Sequence, residues 1–63
     1  MTVERFPAGQ VKPLRERLGM TQAAFARAAG VDQMTVSRWE RGTRALLQEE
    51  TSRRIRRLAK RTA

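Results

Sequence analysis

The chain has no cysteine and no histidine. The first absence rules out disulfide staples, and the two together rule out the usual zinc-ligand sets. Acidic residues are few, 6 Asp+Glu against 14 Lys+Arg. With one acid assigned to a helix cap and one to an ion pair, no acid–base or metal constellation can be assembled, so an enzyme is not expected and no cofactor is called for. Aromatic residues make up only 5% of the chain. No apolar run approaches membrane-spanning length, so no membrane association is expected. The opening "MTVERFPAGQ" carries an acid and lacks an apolar stretch, so it does not read as a signal peptide. No strand pattern, repeat or low-complexity tract is present.

What is abundant is positive charge. The formal net charge is +8 and the sequence pI is near 11.9. That excess points to a polyanionic partner, of which nucleic acid is the commonest, against the blander alternative of a basic solvated surface. All the basic residues except Lys12 and Lys60 are arginine. Arginine's planar fork suits bidentate contacts to phosphate and guanine. At 63 residues the chain is one domain, with little room for a core. A compact helical core, aided or not by a partner subunit, must supply its stability.

Residues 1–10 read as a flexible N-terminal arm, because Pro7 and Gly9 interrupt local structure and no helical stripe is present. Within it, Arg5 and Phe6 are placed to adhere either to DNA or to the body of the domain. The domain proper is expected over residues 11–63. A first helix is predicted over about Lys12 to Leu18, with Val11, Leu14 and Leu18 inward and Pro13 tolerated in the first turn. Gly19 stops it. Thr21 caps a second helix, Gln22 to Ala29, rich in alanine and anchored by Phe25. Gly30 ends it, and Val31 turns inward. Asp32 caps a third helix, Gln33 to Arg41, in which Val36 and Trp39 share the inward face. After Gly42, "TRALL" is a linker that offers Leu46 and Leu47 to the core. A fourth helix, about Gln48 to Arg61, carries Glu49 and Glu50 in its first turn, Lys60 and Arg61 in its last, and a narrow apolar stripe on Ile55 and Leu58, extended by Thr51 and Ala59.

The segment "TQAAFARAAGVDQMTVSRWERG" therefore holds two helices joined by about three residues including a glycine, the spacing of a helix-turn-helix. Ala26 is small where the next helix crosses, and Gly30 permits the tight turn. Phe25, Val31, Val36 and Trp39 bury the joint. Gln33, Met34, Ser37, Arg38 and Arg41 are left on the free surface of the third helix, available to a major groove. Two readings of Met34 stay open, an outward contact and a core filler. Trp39 reads as core because it falls in step with Val36.

The stretch "LRERLGMTQAAFARAAGVDQMTVSRWERG" resembles the Xre/Cro-type helix-turn-helix family, with its lambda-repressor-like fold. The resemblance implies an all-α, compact four-helix helix-turn-helix domain, here without a clear fifth helix. It implies that Gln33, Met34, Ser37 and Arg38 read bases. It implies that Gln22, Arg41, Thr43 and Arg44 contact phosphate. It pairs Arg15 with Glu40 in a structural salt bridge between the first and third helices. The chain departs from the family pattern in lacking a fifth helix and the usual proline after the third. Either the domain is a minimal version or a partner covers apolar surface, for which Leu46, Leu47, Ile55 and Leu58 are the candidates.

The expected function is that of a sequence-specific double-stranded DNA-binding transcriptional regulator, a repressor acting as a homodimer on an inverted repeat. The expected setting is the cytoplasm of a prokaryotic cell or phage-infected host. The alternative is a protein-interaction module or antitoxin-like partner whose basic fourth helix binds an acidic protein. A non-specific nucleoid protein is a further possibility that the polar Gln33/Arg38 face argues against. Whether Arg53, Arg54, Arg56, Arg57, Lys60 and Arg61 touch phosphate or form a solvated face is left open.

Overall fold

The structure, a computed structural model, describes residues 5–61. Among these the domain is all-α. A short 3-10 turn, Ala8–Gln10, leads into four helices: α1 (Val11–Arg17), α2 (Gln22–Ala29), α3 (Gln33–Glu40) and α4 (Glu49–Lys60). No helix among the described residues is long and apolar enough to cross a membrane.

Local chemistry sets the helix ends. Pro13 sits in the first turn of α1, where backbone N–H groups have no intrahelical partner to lose. The Thr21 side chain accepts from the Ala24 N–H at 3.1 Å at the start of α2. Asp32 does the same for α3, accepting from the Thr35 N–H at 2.8 Å and from its hydroxyl at 2.6 Å. Those two bonds, the hydroxyl first, hold the Asp32 carboxyl below its ordinary pKa. Helix α4 begins at Glu49, with Gln48 flanking it and contributing no side-chain cap. Its first-turn acids and last-turn bases suit the helix dipole.

The core gathers one face from each helix: Val11 and Leu14 from α1, Phe25, Ala26 and Ala29 from α2, Val36 and Trp39 from α3, Ile55 and Leu58 from α4. Leu47 joins them from the connection between α3 and α4.

This packing bears on two expectations. The first concerns the apolar candidates for a partner-covered surface. Leu47, Ile55 and Leu58 are buried within the chain itself, and only Leu46 stays open, at 51% exposure. Leu46 pairs with Pro7 in an isolated antiparallel β-bridge. Side chains alternate across extended backbone, so burying Leu47 turns Leu46 outward. Leu46 is therefore not a core residue.

The second concerns the arm. Residues 1–4 lie outside the described residues. Residues 5–10 pack against the body, the second of the two placements open to Arg5 and Phe6. Ala8 is buried, and its N–H donates to the Ala45 carbonyl at 3.0 Å. The Leu47 N–H donates to the Phe6 carbonyl at 2.9 Å. The Phe6 N–H donates to the Ser52 hydroxyl at 2.8 Å, and Arg5 donates to the carbonyls of Leu47 and Leu46 at 2.8 and 3.0 Å. The physical reason is reciprocal. The segment and the α3–α4 connection each carry backbone groups that no helix satisfies, and each supplies the other's partners.

Candidate nucleic-acid interface

The joint between α2 and α3 is closed by backbone geometry. Gly30 adopts φ +78°, a left-handed conformation that side chains other than glycine's resist. The Val31 N–H then reaches back to the Ala26 carbonyl at 2.9 Å, and the Gly30 N–H to that of Arg27 at 3.3 Å. This is the double closure of a Schellman cap, and it leaves Asp32 free to start the next helix. Ala26, directly under the turn, is buried, as are Phe25 and Val36.

With Val36 and Trp39 turned into the core, the opposite face of α3 is open. Gln33, Arg38 and Arg41 are exposed, Met34 is exposed at 71%, and Ser37 is half-buried at the margin. Positions 33, 34, 37, 38 and 41 recur at helical period, so they form one surface. Met34 is thus a surface residue and not a core filler. Arg41 caps the C-terminal end of α3, where the sequence placed it inside the helix.

Glu40, the last residue of α3, is the hub that ties three elements together. Its carboxylate accepts from Arg15 Nε at 2.6 Å and Nη2 at 3.1 Å. It also accepts from Gln22 Nε2 at 3.0 Å. Arg15 donates further to the Met20 carbonyl at 2.9 Å. The Arg15 and Glu40 side chains are 15% and 7% exposed. The Arg15 hydrogen bonds, reinforced by the one from Gln22, hold the Glu40 carboxyl below its ordinary pKa against the opposing effect of burial. The same partner raises the Arg15 guanidinium.

The Gln22–Glu40 bond has no signal in the sequence. It joins residues on different helices and is visible only once α2 and α3 are packed. It consumes one of the two amide hydrogens of Gln22 and leaves the other available. Arg44 is exposed on the connection after α3. Thr43 is half-buried, its hydroxyl accepting from the Ala45 N–H at 3.2 Å. Gln22 and Glu40 are thereby linked directly, whereas Arg41, Thr43 and Arg44 follow one another along the chain beyond α3.

The basic face of α4 is not uniform. Arg54 donates to Glu50 at 3.2 Å and lies over Gly30, so that a Cβ there would come within 2.5 Å of its Nη1. Arg56 stacks on Phe6 with its guanidinium carbon 5.6 Å from the ring centroid. Arg53, Arg57, Lys60 and Arg61 remain exposed.

No curated protein and no solved structure matches the chain significantly. A sequence pattern described as Helix-turn-helix matches residues 11–62, from the start of α1 to just past the end of α4. The match takes in every helix that builds the α2–α3 joint and supports it, and on it the chain belongs to the Xre/lambda-repressor-like helix-turn-helix family of DNA-binding transcription regulators.

Proposed function

We propose that this regulator reads a specific double-stranded DNA sequence by laying α3 in the major groove, and that it represses transcription by occluding a promoter. The reading rests on one observation: burial of Val36 and Trp39 accompanies an open face of Gln33, Met34 and Arg38. Those side chains have the chemistry of base edges. The Gln33 amide pairs bidentately with adenine, Arg38 with guanine O6 and N7, and Met34 packs on a thymine methyl. Ser37, at the margin, bonds whichever edge faces it.

Gln22, Arg41, Thr43 and Arg44 hold the phosphates on either side and so set register without reading sequence. Gln22 donates through its second amide hydrogen, with Glu40 fixing its orientation. The Arg15–Glu40 pair braces α3 against α1. In this proposal the protein acts as a homodimer on an inverted repeat, which sets two copies of α3 about one DNA turn apart. Its setting is the cytoplasm of a prokaryotic cell or phage-infected host.

Selection from random duplexes at physiological salt, followed by footprinting, tests the proposal. The expected result is a defined palindromic site that withstands competitor DNA. Arg38→Ala is expected to lose about 1–3 kcal/mol of discrimination at one base pair, while non-specific binding falls less. Equal weakening on every sequence would remove Arg38 from the base-reading set.

A further inference from the structure

An open groove of about 430 Å³ runs between the C-terminal end of α2 and one flank of α4. Its lining includes two apolar residues, Ala28 and Leu58, and the arginines Arg53, Arg54, Arg57 and Arg61. It lies apart from the outward face of α3 and uses none of the residues assigned there to bases or phosphates.

Two features of the groove need a partner, and a third shows its chemistry. The side chains of Arg53, Arg57 and Arg61 are exposed and make no hydrogen bond or ion pair with any described residue. They follow one another at i, i+4, so each neighbouring pair of like charges destabilises α4 until an anion neutralises it. The groove already shows how it treats a carboxylate. Glu50, also among its lining residues, receives a hydrogen bond from Arg54 at 3.2 Å.

We propose that this groove docks an acidic amphipathic helix of a partner protein. Arg54, Arg57 and Arg61 lie at i, i+3, i+7 and span roughly 10 Å along the α4 axis. A facing helix with carboxylates at the same intervals stays in step with them. An apolar side chain between those carboxylates meets the Ala28–Leu58 floor. A phosphodiester backbone satisfies the arginines but brings no apolar side chain to that floor, which favours the helix over DNA. This is a helix-in-groove contact with charged walls.

The proposal is independent of the α3 reading, and the test separates the two. A synthetic helical peptide with glutamates at i, i+3 and i+7 and one leucine among them is titrated into the full chain at physiological salt. The expected result is saturable one-to-one binding with a raised melting temperature. Replacing the peptide's leucine by serine should weaken binding at least tenfold. The double variant Arg57→Ala/Arg61→Ala should do the same, with its circular dichroism and the salt slope of its random-duplex binding unchanged.

Absence of peptide binding would overturn the proposal, and so would equal affinity for the serine peptide. A fall of about two in the salt slope of the double variant would also overturn it, because the arginines would then be neutralising phosphates. None of these results bears on whether α3 reads bases.

Discussion

Glu40 joins three parts of the molecule through one carboxylate. Arg15 grips it with two nitrogens, and Gln22 adds a third donor from the first turn of α2. A carboxylate so placed would be costly to bury alone, and its partners turn it into a brace. The lowered pKa of the folded state fixes the sign of its pH dependence. The stabilisation is fully present above the ordinary value of 4.5 and is lost as pH falls through the lower folded value. Glu40→Gln is expected to destabilise the fold by about 1–3 kcal/mol at neutral pH, because Arg15 keeps a part-buried charge without its counter-ion. The gap between the two proteins should narrow as the pH falls below the folded pKa of Glu40, where the wild-type carboxyl is protonated as well. Urea unfolding across the acid range measures this, and a gap independent of pH would show that the charge is not what matters. The pairing of Arg15 with Glu40 is implied by the family resemblance, whereas the Gln22 contact has no precursor in the residues themselves.

At the scale of the element, the α2–turn–α3 unit was the most legible part of the chain. Its signals are local. Thr21 and Asp32 are good caps, the alanines favour helix, and Val36 and Trp39 lie one helical turn apart. Helix boundaries shifted by about a residue at the ends of α1, α3 and α4, where hydrogen bonding rather than residue type sets the last turn. Gly30 is the point on which the unit turns. Gly30→Ala should destabilise the domain by about 1–2 kcal/mol through left-handed strain. The new Cβ would also meet Arg54 Nη1 at 2.5 Å, but that is the far end of a long, largely exposed side chain and can move aside. Adding Arg54→Ala to Gly30→Ala should therefore recover little of the loss. If the double variant regained most of it in thermal unfolding, the crowding and not the backbone would be the cause.

At the scale of the whole molecule, Ser52 matters more than its residue type suggests. It is completely buried in the apolar stripe of α4. It accepts from the Phe6 N–H at 2.8 Å and donates to the Leu47 carbonyl at 3.3 Å, so one hydroxyl joins α4, the N-terminal segment and the α3–α4 connection. Ser52→Ala leaves the Phe6 N–H without that acceptor and should cost about 1–3 kcal/mol. Amide hydrogen exchange at Phe6 and Leu47 should quicken more than at Val36, deep in the joint. Uniform quickening throughout would mean that Ser52 only adds global stability and does not hold the segment in place. A serine within an apolar stripe reads as a polar interruption, which is why the sequence pattern passed over it. The packing of residues 5–10 is equally silent in the sequence, since the partners of Arg5 and Phe6 lie more than 40 positions away along the chain.

The division between sequence and structure follows the range of the forces involved. Caps, glycines and helical periodicity act over a few residues, so the chain alone determines where the helices α1 to α4 lie and which face of α3 turns away from the core. Net charge is a sum over residues and is equally plain from composition. Three outcomes depended on how the helices came together: which of Leu46 and Leu47 is covered, which donors converge on Glu40, and which arginines share a groove with Ala28. Each joins groups distant in sequence through backbone pairing or packing, and no local periodicity encodes such meetings.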